Sequence, residues 1–194
     1  MTGHEIRLSG GTAIMDPVPL SLDAFASKIV IRTRAAGMLA RLAHDLEIVA
    51  KNIEGHGTRT GDDFSGEIVI GVSGLHVAGQ LHGDRMDATG ISSSDRQDIE
   101  KKLREEVFPG IKEIIVRGRG TTWDRVDIAV ETRQGKMTSS VIMRKTEEGD
   151  RIRLTGRTEL SLARLGVREI KGPLGAFKVK DAVEVLFEVT LRPA

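Results

Sequence analysis

The segment LARLAHDL, Leu39 to Leu46, brings a guanidinium (Arg41), an imidazole (His44) and a carboxylate (Asp45) to the edge of an apolar patch. Imidazole changes charge near neutral pH and serves as acid, base or ligand. Together with Arg41 it would grip an anionic or polar head group through charge-assisted hydrogen bonds. The same residues also have an architectural reading. Asp45 would take a backbone or turn hydrogen bond, and His44 would sit at a helix C-terminus, where the dipole favours imidazolium. Neighbouring residues of a strand point to opposite faces, so His44 and Asp45 need not act as a pair. A third reading is hydrolytic or isomerising chemistry at His44.

Other reactive constellations are poorly supplied. A nucleophile elbow needs G-x-S-x-G, and Val72-Ser73-Gly74 has the wrong neighbours. A metal site would need His44, His56, His76 and His82 to converge. Neither H-x-H nor H-E-x-x-H occurs, and a bulge at Gly79 would break any face shared by His76 and His82. No metal or cofactor is therefore expected. Gly55, Gly57, Gly61 and Gly66 lack the lysine, hydroxyl and following helix of a phosphate loop, and read as hairpin glycines. Lys101-Lys102-Leu103-Arg104 adjoins Glu105-Glu106, which marks a solvated helix face.

Composition narrows the classes further. The chain of 194 residues is long enough to bury a core without staples. It has no cysteine, which removes disulfides, thiolate nucleophiles and zinc–cysteine sites. Its 29 basic and 28 acidic residues are interspersed and leave a net charge of +1, against an electrostatic grip on nucleic acid. Five phenylalanines, one tryptophan and no tyrosine supply little for base stacking. No nucleic-acid partner is expected. The N-terminal residues lack the basic and apolar regions of a signal peptide, and no window nears the roughly 20 apolar residues of a membrane span. These features predict a cytoplasmic protein without an integral membrane span; a homodimer is left open.

The elements that must position these residues are mostly strands. Alternation of apolar and polar residues predicts eight, over 28–34, 45–56, 65–82, 111–121, 124–133, 136–146, 150–163 and 180–192. Turns are expected at Gln134-Gly135 and Glu148-Gly149-Asp150. Two helices are predicted. Residues 35–43 carry Met38, Leu39 and Leu42 on one stripe. Residues 95–107 carry Ile99, Leu103 and Val107, with Ser94 as N-cap, Gln97 completing a capping box, and pairs Asp98–Lys102 and Glu100–Arg104. Pro109 and Gly110 end that helix. Residues 1–20 read as a loose arm and 21–194 as the folded domain. Strands with one apolar face must close on themselves or find a second layer. Eight is the number at which an antiparallel barrel is filled by side chains or holds one small ligand. Small residues on the inward faces, such as Ala50 and Gly156, would leave room; filled and hollow both remain open.

Three segments carry a resemblance: AAGMLARLAHDLEIVA, SSSDRQDIEKKLREEVFPGIKEIIV and GRTELSLARLGVREIKGPLGAFKVKDAVEVLFEV. In their order and spacing, over about 28–192, the chain resembles the YceI-like family. The resemblance implies an all-β fold with two short helices, an eight-stranded antiparallel lipocalin-like barrel. It implies binding of an amphiphile such as a polyisoprenoid, a quinone or a fatty-acid-like chain. Many members are exported and carry a Phe-Phe-Asp-like segment where this chain has Glu-Val-Phe-Pro.

The function expected is non-enzymatic. The partner is a hydrophobic small molecule, so the one group to be carried is a bound isoprenoid or acyl lipid. Its tail would touch Ile29, Ile31, Met38, Leu42, Leu46, Ile48, Ile70, Leu154, Val185 and Phe187. Arg41 and His44 would meet its head. The alternative is an interaction or stress-related module whose barrel is filled, with its working surface on the face of the helix over 95–107.

Overall fold

A computed structural model describes residues 16–37, 44–172 and 177–194. Strands dominate, as the alternation requires. In chain order they are β1 (Val18–Leu22), β2 (Lys28–Thr33), the two-residue β3 (Ala35–Ala36), β4 (Asp45–Ala50), β5 (Ile53–Thr60), β6 (Asp63–Gly71), β7 (Leu75–His82) and β8 (Arg85–Asp87). After the helix α1 (Ser93–Lys102) come β9 (Glu113–Gly120), β10 (Arg125–Glu131), β11 (Lys136–Glu148), β12 (Arg151–Ser161), the short β13 (Lys178–Val179) and β14 (Ala182–Pro193).

Eight of these strands close a ring in the order β1-β5-β6-β9-β10-β11-β12-β14, with β14 returning to β1. The closing seam sets Leu20 opposite Pro193 and Leu22 opposite Leu191. All these pairings are antiparallel, and the ring leaves no free edge to template aggregation. Two tight hairpins depend on glycine. Gly61 (φ 61°) joins β5 to β6 and Gly149 (φ 66°) joins β11 to β12, each in the left-handed region that a Cβ disfavours.

Three ribbons run past the ring. β1 and β2 both pair with β14, β4 and β5 are separated by two residues, and β6 and β7 by a 3-10 turn at Val72–Gly74. Their second limbs form a flare, β14-β2-β4-β7-β8. The predicted strand 65–82 is therefore two limbs of one bent ribbon. β7 carries one extra residue at Ala78, where Gly79 pairs with Glu47 but Val77 with Ile48.

α1 covers the flare and repairs that bulge. Arg96 donates to the carbonyls of Val77, Ala78 and Ala88, and Glu100 accepts from the Val77 N–H at 3.0 Å. The helix continues as a wider π turn, Leu103–Val107, which buries Leu103 and Val107 in the core. Its cap is Ser92, not Ser94. Ser92 Oγ accepts from the Asp95 N–H at 3.1 Å and donates to Asp95 Oδ2 at 2.7 Å. Three consecutive serines offer the same side chain, and only the backbone turning extended at Ser92 (ψ 158°) selects one. Glu100 is turned toward β7 instead of Arg104, and the ion pair along the helix is Lys101–Glu105, not Asp98–Lys102.

Two further expectations change. Ala35 and Ala36 are not helical: they pair with Val179 and Lys178 as β3, while 38–43 of the expected helix lie outside the described residues. The loose arm expected through residue 20 already contains the start of β1, and Leu20 is buried in the core. No helix among the described residues is long and apolar enough to cross a membrane.

Candidate functional site: the barrel lumen

Inward-facing positions follow from the pleat. On β2 they are Ile29, Ile31 and Thr33; on β14 they are Val183, Val185, Phe187, Val189 and Leu191. With inward residues of the other ring strands and of β4 they line an apolar cavity of about 240 Å³. One end is lined by Trp123, Leu20 and Leu191, where the Trp123 ring stacks on Phe64 with centroids 4.0 Å apart. At the other end lie Leu103, Val107 and Phe108 from the π turn, and Leu162, Leu165 and Ile170 after β12. The lumen is hollow, although most of its wall is ordinary aliphatic core.

Of the residues expected to touch a tail, Ile29, Ile31, Ile48, Ile70, Leu154, Val185 and Phe187 line the cavity. Leu46 is half-buried against the same core, opposite Thr33. Met38, Arg41 and Leu42 lie outside the described residues. His44 is exposed and stands apart from the cavity wall. Asp45 is committed to architecture: Oδ1 accepts from the Ala35 N–H at 2.7 Å and Oδ2 from Arg34 at 3.3 Å. Arg34 in turn holds the Gly83 carbonyl at 2.6 Å and Asp84 at 3.0 Å. This cluster ties β4 to β3 and to the β7–β8 turn.

Among the described residues the other histidines are dispersed. His76 Nδ1 lies 3.3 Å from Glu100, while His56 and His82 are exposed on strand surfaces. No group of three His, Asp or Glu among the described residues is placed to hold a metal ion. Ionised groups crowd the outer wall. Arg117 bridges Glu67 at 2.8 Å and Glu131 at 2.7 Å. Lys136 and Arg117 hold the Glu131 carboxyl below the usual carboxylate range.

The source of the space differs from expectation. Ala50 is buried in the core and does not line the cavity, and the place of a side chain at Gly156 is taken by the Phe187 ring, whose Cζ would lie 2.6 Å from an added Cβ. The open side of the lumen lies across β5, β6 and β9. There Gly57 pairs with Gly66 and Gly66 with Gly118, a row of three inward positions without side chains. Gly55, Gly57 and Gly66 are thus strand-interior residues, and of the four glycines read as hairpin residues only Gly61 holds that place. The signal was present in the sequence as glycines in phase with Ile53, Ile68 and Ile70.

No protein-family model matches the sequence, and no curated protein matches it. Solved structures do. BcnA of Burkholderia cenocepacia is 11% identical, with a TM-score of 0.60 over 87% of this chain and 98% of its own. A polyisoprenoid-binding domain from Saccharophagus degradans, implicated in plant cell wall breakdown, is 10% identical, with a TM-score of 0.60 over 91% of this chain and 99% of its own. The closed eight-stranded barrel seen here is the fold of those two proteins, and it is the fold that the YceI-like resemblance implies.

Proposed function

We propose that the protein binds an amphiphilic lipid in the barrel, a polyisoprenoid, quinone or fatty-acid-like chain, and performs no bond chemistry on it. The observation that carries this reading is the apolar cavity of about 240 Å³ running between the two ends of the barrel. A hollow apolar interior forgoes packing that a filled core would gain, so a fold that keeps one has a use for it. Burying each methylene of a tail there contributes about 0.8 kcal/mol. The polyisoprenoid-binding domain of the same fold supports the choice of ligand class. The open lumen speaks against the alternative of a filled interaction module. Asp45, with both carboxylate oxygens engaged, is not free to orient His44 as a base.

Native mass spectrometry of the purified protein tests this. The expected result is a mass adduct that organic extraction removes and that added prenol, quinone or fatty acid restores. A protein that stays at its bare mass with all three ligands would overturn the proposal.

A further inference from the structure

The glycines of the lumen do not all have the same cause. A Cβ at Gly57 would meet the Ser65 carbonyl oxygen at 2.8 Å, and one at Gly66 the His56 carbonyl oxygen at 2.9 Å. At Gly55 it would meet the Glu67 carbonyl oxygen at 2.9 Å. Backbone approach in the curved wall requires glycine at those positions. Gly120 and Gly156 are filled by the rings of Phe64 and Phe187. Gly61, Gly83, Gly110 and Gly149 sit in turns at positive φ.

Gly118 fits none of these. It lies inside β9, outside the positive-φ region, and an added Cβ would meet only Val126 Cγ1, at 3.4 Å. Among the described glycines it is the one whose place neither backbone, nor side chain, nor turn geometry claims. Glycine inside a strand weakens it, and an interior strand glycine marks a bend or a close approach by another backbone or a ligand. Here the near neighbour is empty lumen. Gly118 closes the row Gly57–Gly66–Gly118 and is followed across the next strand by Ile128.

Resting on the reading of the lumen as a lipid site, we infer that Gly118 is the specificity-determining position and that the bound chain is short. An engineered cavity of about 150 Å³ holds benzene, so by proportion 240 Å³ suits about ten carbons. That is the apolar chain of a geranyl or decyl amphiphile, lying across the glycine row. A long polyprenyl chain exceeds the space. A side chain at Gly118 stands where the ligand's carbons would be.

The experiment titrates geraniol, decanol and a long polyprenol into the protein and follows emission from Trp123, the sole tryptophan, which lines the cavity. Wild type is expected to bind geraniol and decanol and to exclude the polyprenol; the better of the first two identifies a branched or a linear chain. Gly118→Val is expected to weaken both, at about fourfold for each methylene displaced, hence at least about tenfold. Gly118→Ala should give a smaller loss, and both variants should keep the wild-type far-ultraviolet circular dichroism and an unfolding midpoint at or above wild type. Equal binding of the short ligands by wild type and both variants overturns the role of Gly118. Tight binding of the polyprenol by wild type overturns the length limit. Either result leaves lipid binding standing, whereas wild type that responds to no ligand, and carries none by mass, brings down the lipid reading itself. Should Gly118→Val unfold, the strand requires glycine there and the inference fails on that ground.

Discussion

Half-buried Arg32 pairs with buried Glu47 where β2 meets β4, and replacing Arg32 by Met should destabilise the fold severely. The Nε–Oε2 distance is 3.1 Å, with side-chain exposures of 17% and 7%. At an effective dielectric of about 20 the gross attraction at that distance is about 5 kcal/mol. Desolvation of two charges offsets most of it, so the intact pair contributes little net. Removing one partner is different, because Glu47 is then left buried without a counter-charge. The expected loss is about 3–5 kcal/mol. For a chain of this size each kcal/mol moves the midpoint by about 2–4 °C, so Arg32→Met should lower it by roughly 6–20 °C. Arg153–Glu148 serves as the contrast: its side chains are 42% and 61% exposed, and Arg153→Met should cost under about 1 kcal/mol. Urea denaturation with the linear extrapolation measures both. The double variant Arg32→Met with Glu47→Leu should recover most of the loss, since no buried charge is then stranded: Glu184 and Asp84, which Arg32 also approaches at 3.8 and 3.9 Å, are 36% and 86% exposed and keep their solvation. A double variant as unstable as Arg32→Met alone, or an Arg32→Met variant no worse than Arg153→Met, would refute the reasoning.

Gly156→Ala should destabilise by about 1–3 kcal/mol through overpacking, because the new methyl would lie 2.6 Å from Phe187 Cζ. Adding Phe187→Leu should relieve that loss in thermal unfolding; a second variant that adds its own full cost instead would contradict the packing described. Asp181 accepts hydrogen bonds from the Ser161 hydroxyl and the Ala163 N–H, both at 2.7 Å, and these hold its carboxyl below the ordinary 3.8. A depressed folded value means that the contribution is present above that ordinary value and fades as pH falls through the folded one. The stability gap between wild type and Asp181→Asn, measured by urea denaturation across pH, should therefore be largest near neutrality and shrink in acid. A gap that does not vary with pH would show that the carboxylate's charge is not what those bonds select.

Much of the barrel was legible in the sequence because alternation is a local property of a pleated strand. Ile29 and Ile31, or Val183, Val185 and Phe187, declare their inward face whatever they pack against. Gly149 and Gly61 declare their turns because a left-handed residue is strained for any side chain. The helix was legible in its stripe, Leu103 and Val107, but not in its cap, since Ser92, Ser93 and Ser94 are chemically alike and only the backbone path distinguishes them.

The state of the lumen was decided by the tertiary structure. A cavity is the difference between the volume that the strands and the π turn enclose and the volume their side chains supply, and no single segment carries that difference. Gly156 offered space that Phe187, thirty-one positions later in the sequence, occupies. Gly57, Gly66 and Gly118 come from three strands and form a row only once β5, β6 and β9 are in register. Asp45 stood beside His44 in the sequence, yet the fold turned it to Ala35 and Arg34. The sequence by itself determined which residues face inward; the register between strands determined where that interior is left empty.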